Sequence, residues 1–343
     1  MATTFKNLST SDVVSTRTLL HEAIPLTGTL FSGTYGTWPS DNNIKNYSHG
    51  MFQSVYDYPY LSSSANHIVD MTFGYAASSA LSGTSSAHIQ VGKKINIYNQ
   101  MAQMLVGFDS TGSIMQFDAD GDIAGGGAKF DTVFIFNFSR LLTKDEIKKG
   151  SFSMSFMTGA APTVAAGTLL TLSDTDAQND YRINSPAGEY GILYSGSASR
   201  GLVYYQAGIA IVAQTVFNTA AFSSGSTGIL TRGATLSGST IENITNTLRA
   251  RISNITFNNT TELNSTIYFC RAAHNDFNYS SNPTYLSSSK MVVKNTSTDM
   301  PVSYITTVGL YSGDNELMAV AKVSEPLKKD PTNELTLRVR LDY

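Results

Sequence analysis

Charge is scarce in this sequence. Asp, Glu, Lys and Arg make up 14% of its 343 residues, where an average globular chain has about 25%. The net charge is −3, and no run of Lys or Arg is longer than Lys148-Lys149 or Lys328-Lys329. Holding a phosphate backbone takes several clustered cations, so no nucleic-acid partner is expected. There is one cysteine, Cys270, which excludes an intrachain disulfide. Its setting in Ile267-Tyr268-Phe269-Cys270 reads as a buried thiol and not a reactive one. No apolar run approaches the roughly 20 residues of a membrane-spanning helix, so no membrane span is expected. The opening residues, Met1-Ala2-Thr3-Thr4-Phe5-Lys6, lack the apolar stretch of a signal peptide. The expectation is a chain that folds in a reducing cytoplasm.

Ser, Thr, Asn and Gly take the place of the missing charge, beside an ordinary 41% of apolar residues. Uncharged polar surface costs little to dehydrate compared with ions. It suits a protein that is buried against many neighbours, and it equally suits a β-protein with long polar loops. The same composition accounts for the Asn-X-Ser/Thr triplets at Asn243, Asn254, Asn264 and Asn278, which in a secreted chain would suggest glycans.

Period-2 patterns dominate. In Leu335–Tyr343, Leu335, Leu337, Val339, Leu341 and Tyr343 share one face, while Thr336, Arg338, Arg340 and Asp342 share the other. Such alternation marks a strand with one wet face. Tyr304–Tyr311 and Leu317–Val323 flank Ser312-Gly313-Asp314-Asn315, whose Gly, Asp and Asn tolerate positive φ and predict a hairpin. The last forty residues are expected to form a three-stranded antiparallel meander. Further strands are expected at Thr132–Phe138, Phe152–Met157, Thr168–Leu172, Gly191–Tyr194, Gly201–Ala213 and Ser265–Arg271. In the first, Phe134, Phe136 and Phe138 form an aromatic row that Phe130 continues, as core does.

Helices are expected to be few and short. Thr143-Lys-Asp-Glu146 has the form of a capping box, with Gly150 as its stop. Ser239-Thr-Ile-Glu242 is another, ahead of a stripe of Ile241, Ile244, Leu248 and Ile252. Asn99–Leu105 is a third candidate. Ser32–Ser64 has no sustained period and is dense in Gly, Asn, Ser and Tyr. It is expected to be ordered but irregular, packed by Tyr35, Trp38, Tyr47, Phe52, Tyr56, Tyr58 and Tyr60. Aromatic segments of this kind are common at interfaces, so it serves as a contact segment or covers this chain's own core. Ser223–Ser239 reads as a low-complexity loop.

The chemistry-bearing patterns fail one by one. His21-Glu22-Ala-Ile-Pro25 begins like a zinc-protease helix, but proline stands where the second histidine must be. Asp118-Ala-Asp120-Gly-Asp122 resembles a calcium loop, yet Gly121 comes early and Lys129 stands at the twelfth position. A polar turn is the favoured reading, and no metal or cofactor is expected. Gly125-Gly126-Gly127-Ala128-Lys129 lacks phosphate-loop spacing, and the five histidines (His21, His49, His67, His88 and His274) are scattered. No catalytic residue emerges, so a non-enzymatic chain is expected.

Several long, compositionally odd blocks remain. They are Asn43–His67, Lys94–Gln103, Ser139–Phe152, Tyr304–Tyr311, Asn315–Lys322 and Arg338–Asp342. In these the chain resembles virion structural proteins of T4-like and related marine tailed phages. The resemblance covers both ends and the first half, while Gly159–Thr261 is less distinctive. It implies a multicopy subunit of the virion, in the tail or baseplate, held to other virion proteins as a homo- or hetero-oligomer. The alternatives are a capsid accessory or decoration protein, and a receptor- or carbohydrate-binding module of the tail.

The expected fold is mainly β, built of antiparallel sheets in a sandwich or barrel-like arrangement with a few short helices. Three regions are expected: an aromatic-rich arm over 1–75, a central β domain over 76–222, and a C-terminal domain over 223–343. Arg338 and Arg340, on the wet face of the last strand, are candidate contacts or simply solvated.

Overall fold

A computed structural model describes residues 5–32, 42–122, 126–159, 169–217, 222, 231–278, 286–287, 290–291, 298 and 300–343. The chain divides into two compact units. Unit 1 comprises Met1–Leu19 and Glu262–Tyr343, and unit 2 comprises Leu20–Thr261.

Strands outnumber helices throughout. They are β1 (Val13–Thr27), β2 (Ile44–Asn46), β3 (Gln53–Tyr56), β4 (His67–Tyr75), β5 (Phe117–Asp118), β6 (Lys129–Phe130), β7 (Thr132–Phe138), β8 (Glu146–Ile147), β9 (Ser153–Met157) and β10 (Leu169–Ser173). There follow β11 (Tyr190–Ser195), β12 (Ala198–Tyr204), β13 (Ile209–Ala213), β14 (Ile252–Ala272), β15 (Leu286–Ser287), β16 (Lys290–Met291), β17 (Ser303–Tyr311), β18 (Leu317–Lys329) and β19 (Leu335–Asp342). The helices are α1 (Gly28–Ser32), α2 (Val91–Leu105), α3 (Arg140–Thr143), α4 (Arg232–Gly238) and α5 (Ile241–Arg251).

In unit 2 one large sheet runs β14-β9-β10-β11-β12-β13-β7-β4-β3-β2, with β1 and β8 also joined to β14. Neighbours from β14 to β2 are antiparallel. The sheet is open and not closed into a barrel, yet it curls. Phe138 on β7 meets Phe257 on β14 with ring centroids 5.3 Å apart, although five strands separate them in the sheet order. Phe136 and Phe156 meet likewise at 6.3 Å. One core lies inside this curl and is completed by Ile244 and Leu248 of α5. A second core lies on the other face, between Val133, Ile135, Ile209 and Ile211 of the sheet and Ile97, Tyr98 and Leu105 of α2. Central strands are therefore buried on both faces, as β13 (IAIVA) requires with no polar residue at all. Gly74 lets α2 approach β4. A Cβ there would stand 2.9 Å from the Lys94 carbonyl and the Tyr98 nitrogen.

Several local expectations give way to tertiary ones. The helix expected after Thr143 is absent; α3 ends at Thr143, capped at its start by Ser139, and Lys144 takes φ 55°. Glu146 and Ile147 instead pair with Thr260 and Asn259 of β14, so strand pairing overrides the capping pattern. Phe130 leaves the aromatic row. It sits in β6, opposite Phe117, and packs in the second core. Gly201–Ala213 is two strands with a turn at Gly208 (φ 67°). The irregular segment contains β2 and β3, which extend the large sheet. The low-complexity loop ends in α4, capped by Thr231. Helix α5 begins at the Thr240 cap, with Ile241, Ile244 and Leu248 buried as its stripe demands.

Unit 1 is built differently. β17 and β18 pair with each other through the expected turn, where Asn315 takes φ 63°. β19 does not complete a meander with them. It pairs with β14, from Ser265↔Asp342 to Ala272↔Leu335. Its alternation is as expected, with Val339 buried and Arg338 and Arg340 exposed. β15 and β16 form a separate two-residue pair.

Candidate functional site

The aromatic segment assembles on the β2–β3–β4 end of the large sheet. Tyr35 and Trp38 lie outside the described residues. Of the others, Tyr47 and Phe52 flank the β2–β3 turn at Gly50 (φ 59°) and enclose His49. The Tyr47 and His49 rings stack at 5.1 Å and 10°, and Phe52 tilts against both at 4.7 and 5.0 Å. Lys45 Nζ lies 4.9 Å from the Tyr47 ring centre, within cation–π range. Across the strands, Lys45, Ser54 and Asp70 occupy one row of the register. The Ser54 hydroxyl donates to Asp70 Oδ1, which also lies 2.8 Å from His67 Nε2. Because Asp70 stands between the two, His67 cannot take the Ser54 proton, and the trio does not have the order of a nucleophile triad.

His67 continues into a second aromatic group. Its ring meets Tyr56 edge-on at 5.6 Å, and Tyr56 lies 6.5 Å from Tyr60. Burial is the first of the causes that raise the Tyr56 hydroxyl. Tyr58 and Tyr60 are exposed, and Leu61 beyond them is 85% exposed. The patch is thus aromatic and hydrogen-bonded below, and open above.

Arg338 and Arg340 belong to unit 1. Both are exposed, and Arg340 is bonded to Asp342 at 2.7 Å and to the Ser265 hydroxyl at 3.1 Å. A larger feature of the same unit is the exposed apolar surface of the expected β17–β18 hairpin, which sequence reasoning did not foresee. Its Val308↔Ala321 and Leu310↔Ala319 pairs are half-buried. The opposite face shows Tyr311, Leu317 and Val320, and Met318 beside them is 70% exposed. Phe5 packs edge-on against Tyr311 at 4.9 Å. The register jumps from Ile305↔Leu327 to Thr307↔Lys322, so β18 bulges over Val323–Pro326. The alternating pattern identified these strands, but alternation cannot reveal that neither face is sealed. β1 was overlooked as well. It is 15 residues long and mostly exposed, with Val14, Leu19 and Leu20 outward.

The three aspartates of the expected polar turn do converge. Ligand oxygens of Asp118, Asp120 and Asp122 lie within 4.8 Å of one another, a spacing a hard cation could use. Lys129, opposite Asp118 across the β5–β6 pair, already places its Nζ 3.1 Å from the buried carboxylate. His21 is on a strand, beside the Asn259 carbonyl and the Thr260 hydroxyl. Cys270 is half-buried, and burial first, then the Asp12 charge, raises its thiol. That is the opposite of an activated thiolate. Among the described residues, no helix is long and apolar enough to cross a membrane.

No family model, no curated protein and no solved structure matches this chain.

Proposed function

We propose that this protein is a non-enzymatic structural subunit of a tailed-phage particle, most simply a tail or baseplate component held by contacts with other virion proteins. The observation that carries the reading is the β17–β18 hairpin. An isolated two-stranded ribbon is marginal in water, and this one turns Tyr311, Leu317, Met318 and Val320 outward. Exposed apolar patches of this kind mark interaction sites. The scarcity of charge supports it, because interface centres are poor in charged residues. The phage context rests on the resemblance of the blocks at Asn43–His67, Ser139–Phe152 and the C-terminal strands.

In this role the β2–β4 aromatic patch is a second contact. The interface residues are Tyr47, Phe52, Tyr56, Tyr58 and Tyr60 there, and Arg338 and Arg340 on β19. A capsid accessory protein would use the same surfaces in a different place.

The test is separation of heads from tails in purified particles, with mass spectrometry of each fraction. The chain is expected among the tail proteins. Recovery with heads selects the capsid reading, and absence from both fractions overturns the structural role.

A further inference from the structure

Lys329 ends β18, and its side chain is buried without exposure. Its Nζ donates to Asn278 Oδ1 at 2.7 Å, to the Asp330 carbonyl at 2.9 Å and to the His274 carbonyl at 3.3 Å. The Asn278 amide nitrogen donates to the same His274 carbonyl at 2.7 Å. One backbone oxygen thus holds the amine and the side-chain amide against each other. The arrangement serves no contact surface described above. An ion pair would account for a buried lysine, but the side-chain oxygen that meets this one is a neutral carboxamide.

The geometry has the partners of a covalent reaction. An amine held at hydrogen-bond distance from a carboxamide oxygen stands close to the carbonyl carbon, and fixed proximity of this kind replaces a large part of a reaction's entropic cost.

We propose that Lys329 and Asn278 become joined by an intramolecular isopeptide bond, formed by the chain itself. The Lys329 ammonium first releases a proton to water. The freed Nζ lone pair attacks Asn278 Cγ, forming the Nζ–Cγ bond and moving the carbonyl pair onto Oδ1. The surplus proton on Nζ passes to Nδ2, and as the carbonyl re-forms the Cγ–Nδ2 bond breaks. The nitrogen leaves as ammonia and takes a proton back from water, while Nζ keeps one hydrogen as the new amide. Lysine ammonium plus carboxamide thus becomes amide plus ammonium ion, with nothing oxidised or reduced.

The bond closes a loop between positions 51 apart. It ties the end of β18 to the segment that follows β14, within a unit that has few buried apolar side chains. A crosslink constrains the unfolded chain, which is most useful where packing supplies least.

Intact-mass spectrometry of the full purified chain tests this directly. The wild type is expected to be lighter than its sequence by one ammonia, about 17 Da, and Lys329→Arg and Asn278→Ala to have their full sequence masses. Trypsin should leave the wild type uncut after Lys329 and release one branched peptide containing both residues. A wild type of full mass that is cut after Lys329 overturns the bond, and this result needs no variant to fold. A loss that persists in Asn278→Ala overturns the choice of Asn278.

Discussion

Strands of alternating character build both units, but their apolar residues end in different places. In unit 2 the alternation sends Phe134, Phe136 and Phe138 into one core and Val133 and Ile135 into the other, all nearly inaccessible. In unit 1, among the described residues, the only buried apolar side chains are Ala272 and Val339. More than half of the exposed large apolar residues belong to this smaller unit. Ion pairs join its distant segments, Lys6 with Asp276, Arg17 with Glu262, and Arg271 with Asp12, beside the Phe5–Tyr311 ring contact. Exposed ion pairs contribute little stability, about 0–1 kcal/mol each. Unit 2 buries its apolar residues within itself, while unit 1 leaves most of its described large apolar residues exposed or half-buried.

Four measurements would break or sharpen this contrast. The largest effect is expected in the curled core. Phe136→Ala removes a ring packed against Phe156 and should cost about 3–5 kcal/mol in denaturant unfolding. A loss below about 1 kcal/mol would mean that the core is looser than its burial implies.

Next is Asp174, which is buried and accepts from the Gly150 and Phe152 backbone nitrogens at 2.9 and 2.8 Å and from the Tyr205 hydroxyl at 3.0 Å. Asp174→Ala strands three donors, two of them buried, and should cost about 3 kcal/mol. Asp174→Asn should recover part of that loss, because its amide oxygen can still accept.

A third effect is expected in alkali. Burial lowers Lys94 to about 8, while its Nζ caps the end of α4 through the Leu236 and Ser239 carbonyls, each at 2.8 Å. Between about pH 8 and 10 an unfolded lysine keeps the proton that the folded one releases, so stability rises with pH. Above about pH 10 the sign reverses. Burial raises Tyr75, Tyr98, Tyr204 and Tyr205, and pushes Tyr190 up to about 12. The folded chain then holds protons that unfolded tyrosines lose, and stability falls. Denaturation midpoints from pH 7 to 11 should rise and then drop in the wild type, and Lys94→Met should remove the rise. A rise that persists in the variant would assign it to another group.

The smallest effect on stability is expected in the hairpin. Met318→Ser and Val320→Ser should each shift unfolding by no more than about 0.5 kcal/mol, while the combined change should prevent incorporation into particles. A large loss of stability would show that this face is covered within the chain, and unit 1 would then resemble unit 2.

The strands were largely legible because side-chain direction alternates residue by residue, whatever the rest of the chain does. β7 spans the expected Thr132–Phe138, and β19 has its wet and dry faces where the pattern put them. The helix stripe of α5 was legible for the same local reason. The candidate surface was legible only in part. Composition singled out Tyr47, Phe52 and Tyr56, but the row of Lys45, Ser54 and Asp70 beneath them spans three strands. The missed helix start at Thr143 shows the limit of capping patterns. A few tenths to about 2 kcal/mol from a cap cannot outweigh the pairing of Glu146 and Ile147 with β14.

By itself, then, the sequence determined the extent of β7, the wet and dry faces of β19 and the buried stripe of α5. Those properties depend on neighbours one, two or four positions away. Tertiary structure alone decided that β19 pairs with β14 and not with β18, that the sheet curls so that Phe138 meets Phe257, and that Lys329 lies against Asn278. Each of these joins residues far apart in the chain. Strand pairing uses backbone groups that every residue carries, so no side-chain pattern along a single strand specifies its partner.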